Sequence, residues 1–187
     1  MRERIITNHT RLKRNITVDT DIKLTFDREV DDNIDDSFVV DTIIYQGLNS
    51  IKRSISAYEQ SDLPNRFLEG QRFILTNKLP YYIYGYFYLP NDDIVLDADS
   101  MNNIRRVEAN FLFGHEMGHK IIRYRDTSKS LAEIAKVFQM GIDGNEYNLK
   151  ELYADICGLI VSDFNRQCES DKVIYLKRKV LSDLHRY

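Results

Sequence analysis

Residues 111–122 read FLFGHEMGHKII, and the spacing of the two histidines in this stretch indicates how the chain folds around it. His115 and His119 are four residues apart, so on an α-helix their side chains leave the same face about 5–6 Å apart. Two imidazoles placed in this way can bind one metal ion, and zinc is the usual metal for such ligands. Apolar residues on both sides of the histidines are typical of a buried helix. We therefore predict a buried helix that carries a metal site.

Glu116 directly follows the first histidine and completes an H-E-x-x-H motif. Its carboxylate can reach a metal-bound water without becoming a ligand, accept a proton as that water attacks a carbonyl, and pass the proton to the leaving amine. The motif predicts a zinc-dependent peptidase with one zinc per chain, held by His115 and His119, and Glu116 as general base. The alternative is a coincidental match, with two ordinary histidines beside a glutamate.

Two glycines lie within the same predicted helix. Gly114 and Gly118 each lower helix propensity by roughly 1 kcal/mol relative to alanine. A glycine in a helix also lets another part of the chain come close, because no Cβ stands in the way. We therefore predict that another backbone approaches the helix at these two positions.

The residues before this helix predict a small mixed sheet and one long helix. Residues 16–26 alternate between apolar and polar, as in a half-buried strand, and residues 40–58 show helical spacing with Asp36 or Ser37 as N-cap. A strand is expected at 72–76, and a hairpin from 81–89 and 94–97. Residues 27–36 include six acidic residues, which predict a solvated turn, with calcium binding as the alternative.

The residues after 100 predict helices over 100–124, 130–141, 148–164 and 171–186. Ser130 and Glu133 have the spacing of a capping box at the start of the second of these. The expected fold class is α+β, and 187 residues suffice for one domain. Within it we predict an N-terminal α/β lobe over about 1–124 and a helical lobe over about 125–187.

Composition limits the partners. The net charge is −3 and the longest basic run is the triplet at 177–179, which argues against nucleic acid. The apolar runs are too short to span a bilayer, so no membrane partner is expected. Residues 1–10 lack a signal-peptide core, and Cys157 and Cys168 cannot form a disulfide framework. Both observations favour a cytoplasmic location, with secretion or translocation into a host as the alternative.

A catalytic zinc usually has three protein ligands, so the histidine pair needs a third partner. The extended motif would place a histidine at position 125, which is Arg125. The best candidate is Glu151, in the first turn of a predicted helix. Asp155 follows on the same side, where it can accept a hydrogen bond from a zinc-bound histidine. Glu151 could alternatively form a capping box with Asn148. Other candidate ligands are His185, Glu133 and Glu146.

The H-E-x-x-H motif, followed by Glu151-Leu152-Tyr153-Ala154-Asp155 on a later helix, resembles the gluzincin metallopeptidases. The short E-x-x-x-D form is most similar to the group containing the anthrax lethal factor catalytic domain and the bacterial Pro-Pro endopeptidases. The resemblance covers roughly residues 81–164. It implies a zincin-like fold, a zinc ligand set of His115, His119 and Glu151, and endopeptidase activity on an extended polypeptide.

The same resemblance implies a tyrosine, shortly before the ligand glutamate, that stabilises the tetrahedral intermediate. Tyr147 is the nearest match in this chain, with Tyr153 and Tyr124 as alternatives.

The strand predicted at 81–89 is the expected binding edge for a peptide substrate. An extended peptide can add to an exposed strand through backbone hydrogen bonds. We predict Tyr84, Gly85 and Tyr86 as substrate-binding residues. The alternative is that the tyrosines of this strand only form a solvent-facing surface of the sheet.

Two further functions fit parts of the sequence. The chain also resembles the ImmA/IrrE-type peptidases, which combine H-E-x-G-H with a later glutamate and an alanine–acid pair, and which cleave repressors inside cells. It has residues 158–161, Gly-Leu-Ile-Val, where that group has a Leu-Leu-Met-Pro-like run. The other alternative is a non-catalytic binding module that keeps the zinc fold. Glu116 argues against it, because such a module needs no acid at this position.

Overall fold

The structure, a computed structural model, describes residues 3–6, 15–18, 37–69, 71–76, 79–80, 83–90, 92–141, 145–162 and 169–185. The chain divides into two compact units. The first comprises Met1–Lys52 and Leu68–Arg105, and the second comprises Arg53–Phe67 and Arg106–Tyr187. The described residues include six α-helices and a three-stranded mixed sheet, so the predicted α+β class is confirmed.

The first unit is built on the mixed sheet. Its central strand pairs in parallel with one neighbour and antiparallel with the other, so the predicted hairpin is confirmed. A separate antiparallel pair lies at the N-terminal end of the chain. The strands are β1 (Glu3–Ile6), β2 (Asn15–Val18), β3 (Arg72–Thr76), β4 (Gly85–Tyr88) and β5 (Asp93–Asp97), and the sheet order is β3-β5-β4.

One face of this sheet forms the core of the first unit. Phe73 and Leu75 of β3 lie beside Ile94 and Leu96 of β5, and all four are buried. Helix α1 (Ser37–Glu59) packs on this face, since a Cβ at Gly47 would lie 2.7 Å from Leu75 Cδ2. The predicted helix over 40–58 and the strand at 72–76 are thus confirmed.

Of the predicted strand at 16–26, the part within the described residues, 16–18, is strand β2. The remainder of that prediction and the acidic segment 27–36 lie outside the described residues.

The second unit is helical and centres on two long helices. Helix α3 (Arg106–Tyr124) carries the H-E-x-x-H motif, and helix α5 (Glu146–Ser162) runs antiparallel beside it. Helices α4 (Ser128–Phe138) and α6 (Asp171–Leu184) also belong to this unit. Among the described residues no helix is long and apolar enough to cross a membrane.

The contact between α3 and α5 is made by small residues. A Cβ at Gly118 would lie 2.7 Å from Ala154 Cα, and one at Gly114 would lie 2.9 Å from the carbonyl oxygen of Cys157. Both distances are below van der Waals contact with α5 backbone atoms. The prediction that another backbone approaches these two glycines is therefore confirmed.

We expect Gly118→Ala to destabilise the protein by about 1–3 kcal/mol, because the added methyl overpacks the contact with α5. This loss outweighs the roughly 1 kcal/mol that alanine gains in helix propensity. Gly47→Ala is the matched control, since the atoms nearest its new methyl belong to side chains, and the closest is the tip of the flexible Leu75 side chain. Denaturant unfolding measures both. A Gly118→Ala protein as stable as the Gly47→Ala protein would contradict the proposed role of this glycine.

The helix predicted over 100–124 is wrong in one respect, because the structure has two helices there. Helix α2 (Ala98–Asn103) begins after Asp97, whose carboxylate accepts a hydrogen bond from the Ser100 amide at 2.8 Å. The chain is extended at Ile104, with φ −80° and ψ 153°, before α3 begins. Asparagine side chains compete with helical hydrogen bonding, and two of them precede this break.

The predicted capping box of Ser130 and Glu133 is also wrong, and so is the alternative in which Glu151 forms one with Asn148. Helix α4 has Thr127 as its N-cap, so Ser130 lies inside the helix, where its buried hydroxyl donates a hydrogen bond to Asp183 at 2.5 Å. Helix α5 begins at Glu146, which places Asn148 inside the helix and Glu151 in its second turn. Glu151 therefore does not cap a helix with Asn148.

The division between the two units differs from the lobe boundary predicted near residue 124. It falls before Arg106, so that α3 belongs to the helical unit. The end of α1 and the turn after it belong to the same unit, where the ring of Tyr58 packs edge-on against Phe113 with centroids 6.2 Å apart. Lys120 of α3 donates a hydrogen bond to the carbonyl oxygen of Phe67 at 2.7 Å.

Candidate metal centre

Three side chains of the second unit converge on one point between α3 and α5. The Nε2 atoms of His115 and His119 are 3.1 Å apart. Glu151 Oε2 lies 3.4 Å from the first of these nitrogens and 3.6 Å from the second. These atoms could hold a metal ion. The structure thus brings the two predicted histidines together with the predicted glutamate.

The spacing of the three ligand atoms suits a tetrahedral ion. Ligands about 2.0–2.1 Å from such an ion are about 3.3–3.4 Å from each other. The observed distances of 3.1, 3.4 and 3.6 Å lie close to this value. Two imidazoles and one carboxylate also form a ligand set that is typical of catalytic metal sites. Both the geometry and the chemistry of these residues therefore fit a bound metal ion.

Asp155 orients the first histidine, as predicted. Its Oδ1 lies 2.9 Å from His115 Nδ1, so the ring donates from Nδ1 and leaves Nε2 for the metal. Burial alone would lower the pKa of His115, but the hydrogen bond to Asp155 and the nearby carboxylates of Glu116 and Glu151 outweigh it, so the pKa is raised. Asp155 thus fixes the tautomer and makes the imidazole a stronger base.

We expect Asp155→Asn to weaken zinc affinity by about 10–100-fold, because the amide removes the charge that holds the His115 tautomer. Competition with a chelator measures the affinity. Asp62→Asn, a change at an exposed turn position, is the control and should bind zinc like the parent. An Asp155→Asn protein that also binds zinc like the parent would mean that Asp155 does not support the site.

His119 has a different environment. Burial and the neighbouring His115 lower the pKa of His119. A lowered pKa keeps this imidazole neutral near pH 7, which is the form that binds metals.

Glu116 follows His115 on α3 and is buried, with 3% of its surface exposed. Its carboxylate is among the charges that raise the pKa of His115, so it lies near the imidazole. Glu116 does not belong to the group of three residues whose ligand atoms converge. This is the arrangement that the sequence predicted, with an acid beside the ligands and outside the ligand set.

The three candidate tyrosines differ in exposure. Tyr153 is fully buried, and together with Tyr124 it lines a cavity of about 130 Å³ beside Asp183 at the end of α6. A hydroxyl in the interior cannot contact a substrate, so Tyr153 is excluded. Tyr147 is 74% exposed and lies four residues before Glu151, on the same face of α5. Tyr124 is half exposed at the end of α3. The role of Tyr147 stays a prediction.

The other candidate ligands have different partners. Glu133 accepts a hydrogen bond from the Tyr175 hydroxyl at 2.6 Å, and Glu146 pairs with Lys150 on the surface of α5. His185 lies 2.8 Å from the carbonyl oxygen of Asp62 through its Nε2. None of these belongs to the group of three that could hold a metal in the described residues.

Comparisons with protein-family models, with curated proteins and with solved structures find no match to this chain. The two family resemblances therefore rest on the motif residues themselves.

Proposed function

We propose that the protein is a zinc-dependent endopeptidase. The observation that carries the proposal is the convergence of the His115, His119 and Glu151 ligand atoms within 3.1–3.6 Å, with Glu116 next to them in the chain. Two imidazoles from an H-E-x-x-H helix together with a carboxylate form a ligand set that is typical of zinc peptidases. When bound, zinc polarises a carbonyl group and lowers the pKa of water toward neutrality.

The residues of the chain then supply the proton transfers. Glu116 accepts a proton from the attacking water and returns it to the nitrogen of the leaving group. Its burial keeps bulk water away from the carboxylate, which strengthens its electrostatic interactions. Asp155 holds His115 in one tautomer throughout. Tyr147 is the candidate donor to the oxyanion of the tetrahedral intermediate.

Strand β4 is the proposed binding edge for the peptide. The Tyr84 carbonyl accepts a hydrogen bond from the Asp97 amide at 2.9 Å. In an antiparallel hairpin, opposed residues that are hydrogen-bonded alternate with opposed residues that are not, and Tyr84–Asp97 is one of the bonded pairs. The amide and carbonyl groups of Gly85 and Phe87 then point away from β5. No strand among the described residues pairs with that edge. A substrate backbone can pair there, with Tyr84 and Tyr86 exposed beside it.

The test is a peptide-library digest by purified protein of known zinc content, with the products read by mass spectrometry. We expect about one zinc per chain and cleavage that a chelator abolishes and added zinc restores. Protein that binds zinc and cleaves no peptide would support the binding module instead. If peptides are cleaved, a preference for one class of cleavage site would define the substrate.

A further inference from the structure

Phe111 lies one turn before His115 on α3, so both side chains leave the same face of the helix. The two rings have centroids 6.2 Å apart and an angle of 35° between their planes. This separation lies in the range over which aromatic rings attract each other. In the sequence, Phe111 is only one of the apolar residues that mark α3 as a buried helix.

The ring of Phe111 is packed directly against the backbone of α5. A Cβ at Gly158 would lie 2.9 Å from Cδ2 and 3.0 Å from Cε2 of this ring. The ring therefore occupies the space that any side chain at position 158 would need. Gly158 lies three residues after Asp155, so the α5 residue that Phe111 packs against and the α5 residue that bonds His115 lie in neighbouring turns.

His115 is the better-anchored of the two histidines. Its Nδ1 is hydrogen-bonded to Asp155, and its ring packs near Phe111. In the described part of the chain, His119 makes its polar and ring contacts with His115 and Glu151, and its ring stands edge-on to His115 with centroids 4.8 Å apart. The orientation of His119 thus depends in part on that of His115, which contacts it through both Nε2 and the ring.

We propose that Phe111, seated against Gly158, is a positioning residue that holds the His115 ring in its metal-binding orientation and, through that ring, orients His119. The inference rests on the proposed metal site. A metal must order any imidazole that is free to turn, and that ordering weakens binding. Removing the aromatic ring at position 111 therefore lowers metal affinity by about 3–10-fold, the usual worth of one aromatic pair.

Zn²⁺ affinity by chelator competition and the absorption spectrum of the Co²⁺ protein test this proposal. Phe111→Leu should weaken Zn²⁺ binding and change the Co²⁺ spectrum, which reports ligand geometry. Phe111→Tyr keeps the ring and should restore both. The matched control is Phe113→Leu, the same change in a buried core residue that packs on Tyr58. This control should lose more thermal stability than Phe111→Leu and bind Zn²⁺ like the parent.

The outcomes separate the possible failures. If Phe111→Leu binds Zn²⁺ like the parent with an unchanged Co²⁺ spectrum, the positioning role is overturned and the metal site stands. If Phe113→Leu weakens Zn²⁺ binding as much as Phe111→Leu does, general loosening of α3 explains the effect and the proposal is overturned. If the parent protein binds no Zn²⁺, the proposed function fails and this inference fails with it.

Discussion

Glu116→Gln should lower peptide hydrolysis by about 10²–10⁴-fold while zinc content stays at the parent level. Glutamine has nearly the same shape and volume, but it cannot accept the proton of the attacking water. Glu116 is also outside the group of three converging ligand atoms, so its replacement leaves that group intact. The measurements are turnover of a peptide found in the library digest and metal content after dialysis.

Glu108→Gln is the matched control for this experiment. It makes the same chemical change on α3, about 12 Å earlier along the helix axis. We expect this variant to retain parental turnover. If Glu116→Gln retained turnover within a few-fold of the parent, Glu116 would not be the general base, even if zinc were bound as proposed.

Alanine substitution at each of the three proposed ligands should remove most of the bound zinc. His115→Ala, His119→Ala and Glu151→Ala each take away one of three protein ligands. The affinity loss should therefore exceed the about 10–100-fold expected for an outer partner such as Asp155. Chelator competition on each purified variant gives the comparison.

Glu146→Ala is the control for the Glu151 variant. It removes an exposed glutamate from the same helix, where that side chain pairs with Lys150. Since Glu151 lies in the second turn of α5 and does not cap it, Glu151→Ala should change metal-free stability by no more than about 0.5 kcal/mol. Normal zinc binding by Glu151→Ala would show that Glu151 is not the third ligand, and the gluzincin resemblance would fail with that assignment.

The parts of the fold that were predictable depend on local spacing. The four-residue separation of His115 and His119 predicts a shared helix face, whatever surrounds the helix. Gly114 and Gly118 predict a close backbone contact because a glycine in a helix interior needs such a reason. The β-branched and aromatic residues at 81–89 and the turn at 90–93 that follows them predict the hairpin. Each of these features can be read from a short window of sequence.

The parts that were missed depend on residues distant in the chain. Ser130 has the spacing of a cap, but its hydroxyl bonds to Asp183 of another helix, and no local pattern shows that partner. The break between α2 and α3 has no glycine or proline to mark it. The burial of Tyr153 follows from tertiary packing, so the sequence left it equal to Tyr124 as a candidate.

The origin of the three ligands couples metal binding to thermodynamic stability. The two histidines come from α3 and the glutamate from α5, with helix α4 between them in the chain. Only the folded chain brings these groups together, so a metal ion at the proposed site would bind the native state in preference to the unfolded ensemble. Native-state binding of this kind stabilises a protein by about 2.7 kcal/mol at a free ligand concentration 100 times Kd. With zinc at the proposed site, we expect the melting temperature to rise with free zinc concentration, so that a series of thermal melts would report the occupancy of the site.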